Sequence, residues 1–110
     1  AGRPEAFVRR AAFALLATLA VHDKSADNAA FVNALALIED AAGDERNFVK
    51  KAVNWALRNI GKRNLALNQA AIDAARRIQA QGSRSARWIA ADALRELNSD
   101  AVQARLAARR

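Results

Sequence analysis

Trp55 sits among cations. In the stretch FVKKAVNWALRNIGKRN, residues 48–64, helical spacing of about 100° per residue gathers Val49, Val53, Ala56, Leu57 and Ile60 into one apolar stripe. Trp55 falls roughly 145° from the centre of that stripe, with Lys51, Arg58 and Lys62 around it. An aromatic face on a basic surface has two chemical uses. The cations meet phosphates and release counterions. The aromatic ring stacks on bases or sugars and favours cationic centres through its quadrupole. The competing reading is structural: a Trp packed against a neighbouring helix, beside a solvated charged face.

Other reactive side chains form no set of this kind. Asp23, Asp27, Asp44 and Asp100 read as turn or cap residues, and Glu39 and Asp40 close a helix of the opposite layer. Asp92 stands one turn after Trp88, but Arg87 and Arg95 beside it make it a surface charge rather than a catalytic acid. His22 is the only histidine and reads as a helix-end residue; one His makes no metal site. Ser25, Ser83, Ser85 and Ser99 sit at caps or loops, so no Ser–His–Asp set is suggested, and no phosphate-loop, dinucleotide or zinc-protease motif occurs. No metal or cofactor is called for.

The elements that must position these residues are helices. The chain has 110 residues, 53% apolar but only 5% aromatic, with one Pro, four Gly and no Cys, Met or Tyr. That supports one small domain whose core is built from Ala and Leu. The lack of Cys removes disulfides and thiolate chemistry and fits a cytoplasmic protein. The longest apolar run, residues 11–21, is too short for a membrane span, and the segment 100–110 lacks the aromatic anchors of a membrane-surface helix. The formal net charge of +7 favours a polyanionic partner. The opening AGRPEAF reads as the middle of a longer chain.

Start and stop signals predict six helices. The first runs over about 4–21. Asp27 caps a second ending near Gly43, and Asp44 caps a third that carries Trp55, with Gly61 in its last turn. Asn64 caps a fourth ending near Gln81, before Gly82. Ser83 or Ser85 begins a fifth, and Ser99 caps a short sixth. Short linkers make neighbours antiparallel. FVRRAAFALLATLA at 7–20 matches FVKKAVNWALRNIG at 48–61, and ARWIAADALREL at 86–97 echoes both. A period near 40 residues, two helices long, predicts an all-α, HEAT-like α-solenoid of about three helix pairs.

In that scheme the first, third and fifth helices line one layer. The first is expected to bury Val8, Ala11, Ala12, Leu15 and Leu19 and to point Arg10 and Ala17 away. The fifth buries Ile89, Ala93 and Leu97 and points Arg84, Trp88 and Arg95 away. The expected interface is therefore Arg9, Arg10, Lys51, Trp55, Arg58, Lys62, Arg84 and Trp88.

FVRRAAFALLATLAVHDK, DERNFVKKAVNWALRNIGKRN and ARWIAADALREL resemble the C-terminal half of the bacterial DNA alkylation repair family, HEAT-like-repeat DNA glycosylases that remove alkylated purines. The KKAVNWALRNIGKRN block is the most specific part. The resemblance implies a solenoid whose concave basic face grips duplex DNA and hydrolyses the N-glycosidic bond of N3- or N7-alkylated purines without a metal or a base-swallowing pocket, in contrast to most glycosylases. It assigns cleft roles to Arg10, from the Arg motif, and Trp55, from the KKA-x-x-W-x-LR motif. The cationic alkylpurine is already a good leaving group. A Trp face and a carboxylate then suit the oxocarbenium character of the sugar, and Arg10 suits a backbone phosphate. The family's catalytic Asp belongs upstream of the Arg motif, so this chain is expected to touch DNA without cutting the base. It is also expected to expose apolar surface on its first helix and to self-associate there. The alternative is a non-catalytic helical-repeat scaffold for a protein partner.

Overall fold

The computed structural model describes residues 2–23 and 27–108. Among these the chain forms six helices and no strand: α1 Gly2–His22, α2 Asn28–Ala41, α3 Asn47–Gly61, α4 Leu65–Ala80, α5 Arg84–Leu97 and α6 Asp100–Ala108. Four caps fall where the sequence puts them, Ser99 at the start of α6 among them, accepting from the Val102 N–H. The side chains of Asp27, Asn64 and Ser83 likewise accept from the backbone N–H three residues on, meeting donors that a helix start leaves unpaired. Gly82, at φ +81°, ends α4 in the left-handed region open to glycine. Ser25 and part of the turn expected over 22–28 lie outside the described residues.

α1, α3 and α5 form one layer, and α2 and α4 the other. α1 packs chiefly on α3, α3 on α5, and α2 on α4, while α3 and α5 both rest on α4. Contacts between equivalent helices keep a near-constant sequence offset. Asn54 meets Asp92 and Arg58 meets Glu96, each 38 residues apart, and Arg77 meets Glu39 at the same offset in the other layer. A shared offset means the equivalent helices run parallel and in register. The arrangement is compatible with an all-α helical-repeat fold, drawn out into a slab of 46 × 29 × 19 Å. Among the described residues no helix is long and apolar enough to cross a membrane.

Two joints lock the slab. Gly61, the last residue of α3, lies so close to α5 that a Cβ there would meet the Leu97 methyls at 2.6 and 2.8 Å and the Ala71 Cβ at 3.0 Å. Buried Asn68 of α4 donates to the Gly61 carbonyl at 2.9 Å, while Gln103 of α6 donates to Asn68 Oδ1 and to the Leu97 carbonyl. The orphan carbonyls of two helix ends are satisfied there. The second joint is the loop before α3. The Asp44 carboxylate accepts from the Arg46 backbone N–H and guanidinium and from Arg9 of α1 at 3.0 Å. The Asp44 carbonyl accepts from the Ser85 hydroxyl, and Glu45 accepts from the Ser85 N–H.

Two expectations are corrected here. Asp44 does not cap α3: Arg46 is the N-cap and makes no side-chain cap bond, because the Asp44 carboxylate turns back on Arg46 two residues away. α1 also faces the other way round. Val8 is 68% exposed and Leu15 61%, and Ala11, Ala12 and Leu19 are also exposed, whereas Ala6, Phe13, Ala17 and Ala20 are buried. Small residues let α1 approach α3 closely, with Phe13 as the one large anchor. Ala17, expected on the outside, is fully buried. Arg10 therefore lies roughly 50° from the buried stripe rather than opposite it, on the flank that meets α3.

Gly61→Ala should overpack this joint and lower stability by about 1–3 kcal/mol, read by urea denaturation. The pH dependence of stability follows from Asp44. Hydrogen bonds from Arg46 outweigh burial and hold its pKa at about 2, below the ordinary 3.8. A depressed folded-state pKa gives stability that is complete above the unfolded value and is lost as pH falls from about 4 toward 2. Asp44→Asn should therefore cost about 2 kcal/mol at pH 7, and the gap from wild type should narrow in urea melts near pH 2.

Candidate nucleic-acid interface

The rotated α1 builds a concavity with α3. Its walls are Arg10 and Ala14 of α1 and Phe48, Lys51, Ala52 and Trp55 of α3, around about 370 Å³ of space. The repeat explains the pairing. At the offset of 41 residues between the matching FVRR and FVKK segments, Phe7 stands against Phe48, their rings 6.3 Å apart. Arg10 then falls level with Lys51, and Ala14 level with Trp55. A methyl opposite an indole leaves room beside the ring. Trp55 stays 42% exposed, and Arg10 and Lys51 are exposed on the same rim. No carboxylate lines this concavity.

Three of the eight expected interface residues thus come together: Arg10, Lys51 and Trp55. Arg9 instead points to Asp44 and clasps α1 to the loop before α3. Arg58 and Lys62 are half-buried and face α5. Arg58 Nη1 and Lys62 Nζ each lie 3.0 Å from the Glu96 carboxylate, and Arg58 Nε lies 3.6 Å from Asp92. Arg84 is exposed in the first turn of α5. Trp88 keeps an exposed face, and Lys50 Nζ sits 5.1 Å from its ring centre. Neither Arg84 nor Trp88 lines the α1–α3 concavity.

The α3–α5 seam accounts for the carboxylates. Asn54, almost fully buried, donates to Asp92 Oδ2 at 2.7 Å, and Arg95 donates to its other oxygen at 2.5 Å. The Asn54 bond is the largest influence holding the Asp92 carboxyl below its ordinary range; burial opposes it, and Arg95 and Arg58 add to it. For Glu96 burial pushes upward, but Lys62 and Arg58 together outweigh it, so its pKa is also lowered. Both acids are anions engaged in holding helices, and neither is poised to exchange a proton near neutral pH. Arg58 Nε and Asn54 Oδ1 remain buried without a hydrogen-bond partner, a cost the ion pairs around them offset.

Sequence reading missed Asn54 and Phe48. Asn54 carries a signal in retrospect: a polar residue beside the apolar stripe of α3, at the repeat offset from an acid. Phe48 carries another, since the same Phe opens both matching segments.

The two seams should respond differently to truncation. Asp92→Ala removes the acceptor of the buried Asn54 amide and should cost about 1–3 kcal/mol in chemical denaturation. Arg10→Ala and Trp55→Ala remove exposed side chains and should stay within about 0.5 kcal/mol of wild type.

Comparison with known families then gives one finding. The family model described as DNA alkylation repair enzyme matches residues 1–97. No curated protein and no solved structure matches the chain.

Proposed function

The chain belongs to the DNA alkylation repair enzyme family, and on that premise we propose that it grips duplex DNA containing alkylated purines through the α1–α3 concavity. The observation that supports this reading is the convergence of Arg10, Lys51 and Trp55 on one rim with no carboxylate between them. Two cations there suit phosphates on either side of a nucleotide, and an exposed indole suits the sugar or base between. Arg84 and Trp88 extend the same character onto α5. In this reading the wider activity is that of a glycosylase. Water adds at the sugar carbon, and the alkylpurine leaves with the electrons of the N-glycosidic bond. Trp55 and Arg10 are the cleft residues of that reaction. The carboxylate that aligns water is not supplied by the residues lining the concavity, so the chain binds without releasing base.

The test is a titration of fluorescent duplex DNA at two salt concentrations, with 7-methylguanine release assayed in the same samples. Wild type should bind in a steeply salt-dependent manner and release no base. Arg10→Ala should lower the salt slope by about one, and Trp55→Ala should weaken binding by about 1–3 kcal/mol. Absence of binding at low salt would sink this reading in favour of a protein scaffold. Base release would assign the water-aligning role to an acid of this chain, Asp92 first.

One observation favours self-association as well. Val8, Leu15 and Leu19 of α1 and Leu37 of α2 line one exposed apolar trough, larger in character than scattered surface leucines. Two copies are expected to pair through it. Sedimentation should show a dimer that Leu15→Glu converts to monomer; a wild-type monomer at high concentration contradicts the pairing.

A further inference from the structure

The cations of the α1, α3 and α5 layer are sorted along its helices. Arg10 of α1, Lys50 and Lys51 of α3, and Arg84 and Arg87 of α5 lie in the N-terminal halves of their helices. None of them has an acid partner among the described residues. Arg58, Lys62 and Arg95 lie in the C-terminal halves, and each meets Asp92 or Glu96. Arg9 is the exception in the N-terminal half, held by Asp44. The acids at that end are engaged as well: Asp44 with Arg9 and Arg46, Glu45 with the Ser85 N–H, and Glu5 beside Arg46. The three helices run parallel and in register, so sorting along each helix becomes sorting across the layer. An uncompensated basic band crosses the N-terminal half, and the charge of the C-terminal half is largely neutralised.

Lys50 carries that band past α3. It stands one turn before Asn54, on the flank of α3 that faces α5. Its Nζ lies 5.1 Å from the ring centre of Trp88, at the same 38-residue offset that joins Asn54 to Asp92. A ring face holds an ammonium in place without cancelling its charge, as a carboxylate would. Trp88 remains 41% exposed. Arg84, one turn before it on the same face of α5, is exposed too. Lys50, Trp88 and Arg84 therefore repeat, one helix further on, the cations and open indole of Arg10, Lys51 and Trp55.

Resting on the DNA reading above, we propose that the duplex backbone crosses the three helices transversely. It runs from Arg10 and Lys51 to a second station made by Lys50, Trp88 and Arg84, and Arg58, Lys62 and Arg95 stay outside the contact. Packed helix axes lie about 8–10 Å apart, so the band is roughly 16–20 Å long. That is the reach of about five or six nucleotides, at about 3.4 Å of duplex per phosphate of one strand. A backbone laid along α3 instead would leave the band after Lys51. It would run onto cations already met by Asp92 and Glu96, where few counterions remain to be released.

The test is a titration of duplex DNA over a series of salt concentrations with Lys50→Gln, Arg84→Gln, Trp88→Ala and Lys62→Gln beside wild type and Arg10→Ala. Thermal melts establish that each variant is folded. Lys50→Gln and Arg84→Gln should each lower the salt slope by about one. Trp88→Ala should weaken binding at least about fivefold, and Lys62→Gln should leave the slope unchanged. In wild type the Trp88 indole N–H resonance should shift on adding duplex. A slope that Arg10→Ala lowers but Lys50→Gln and Arg84→Gln leave unchanged overturns the transverse path and leaves the α1–α3 contact standing. A slope lowered by Lys62→Gln instead overturns it in favour of a path along α3. A wild type without salt-dependent binding removes the proposed function and this inference together.

Discussion

α3 is packed from three sides, and the rest of the structure follows from how little of its surface is left over. α1 takes one flank, α5 the other, and α4 its apolar base. The packing is tight enough that Gly61 has no space for a methyl group. What remains to solvent is a narrow strip carrying Lys51 and Trp55. The Trp55 ring is left partly open on that strip, and its exposure is a property of the helix arrangement rather than of a loose end.

The two flanks of α3 use polar groups in opposite ways. Toward α5 every cation meets an acid or a ring: Arg58 and Lys62 meet Glu96, and Lys50 covers Trp88. These contacts hold two parallel helices in register, and their anions are too well stabilised to serve as acids or bases. Toward α1 the lining is basic and aromatic with no counter-charge, so Arg10 and Lys51 keep their field for an external anion. Net charge alone would not separate these roles; the same residue types are structural on one flank and available on the other.

Much of this was readable in the sequence. The period near 40 residues anticipated the parallel pairing, and the helical periodicity of α3 gave Val49, Val53, Ala56, Leu57 and Ile60 of its buried face, but not Ala52, Asn54 or Asn59. α1 was misread because it is apolar around most of its circumference. Periodicity cannot decide between a Leu/Val face and an Ala face when both exist, and close approach to α3 selected the small residues. The partners of Arg58 and Lys62 were hidden for a different reason. Asp92 and Glu96 lie more than thirty residues away, and only the register of the two helices brings them near. Asp44 looked like a cap because an Asp two or three residues before a helix has the same sequence signature whether it bonds the helix or its own loop.

The most direct measurement follows the two tryptophan indole N–H resonances by 15N NMR while unlabelled duplex DNA is added at low salt. The α1–α3 strip as the contact surface predicts that the Trp55 resonance moves furthest, saturates with the duplex, and returns when salt is raised. A Trp55 resonance that stays in place at saturating duplex, whatever Trp88 does, would contradict the account.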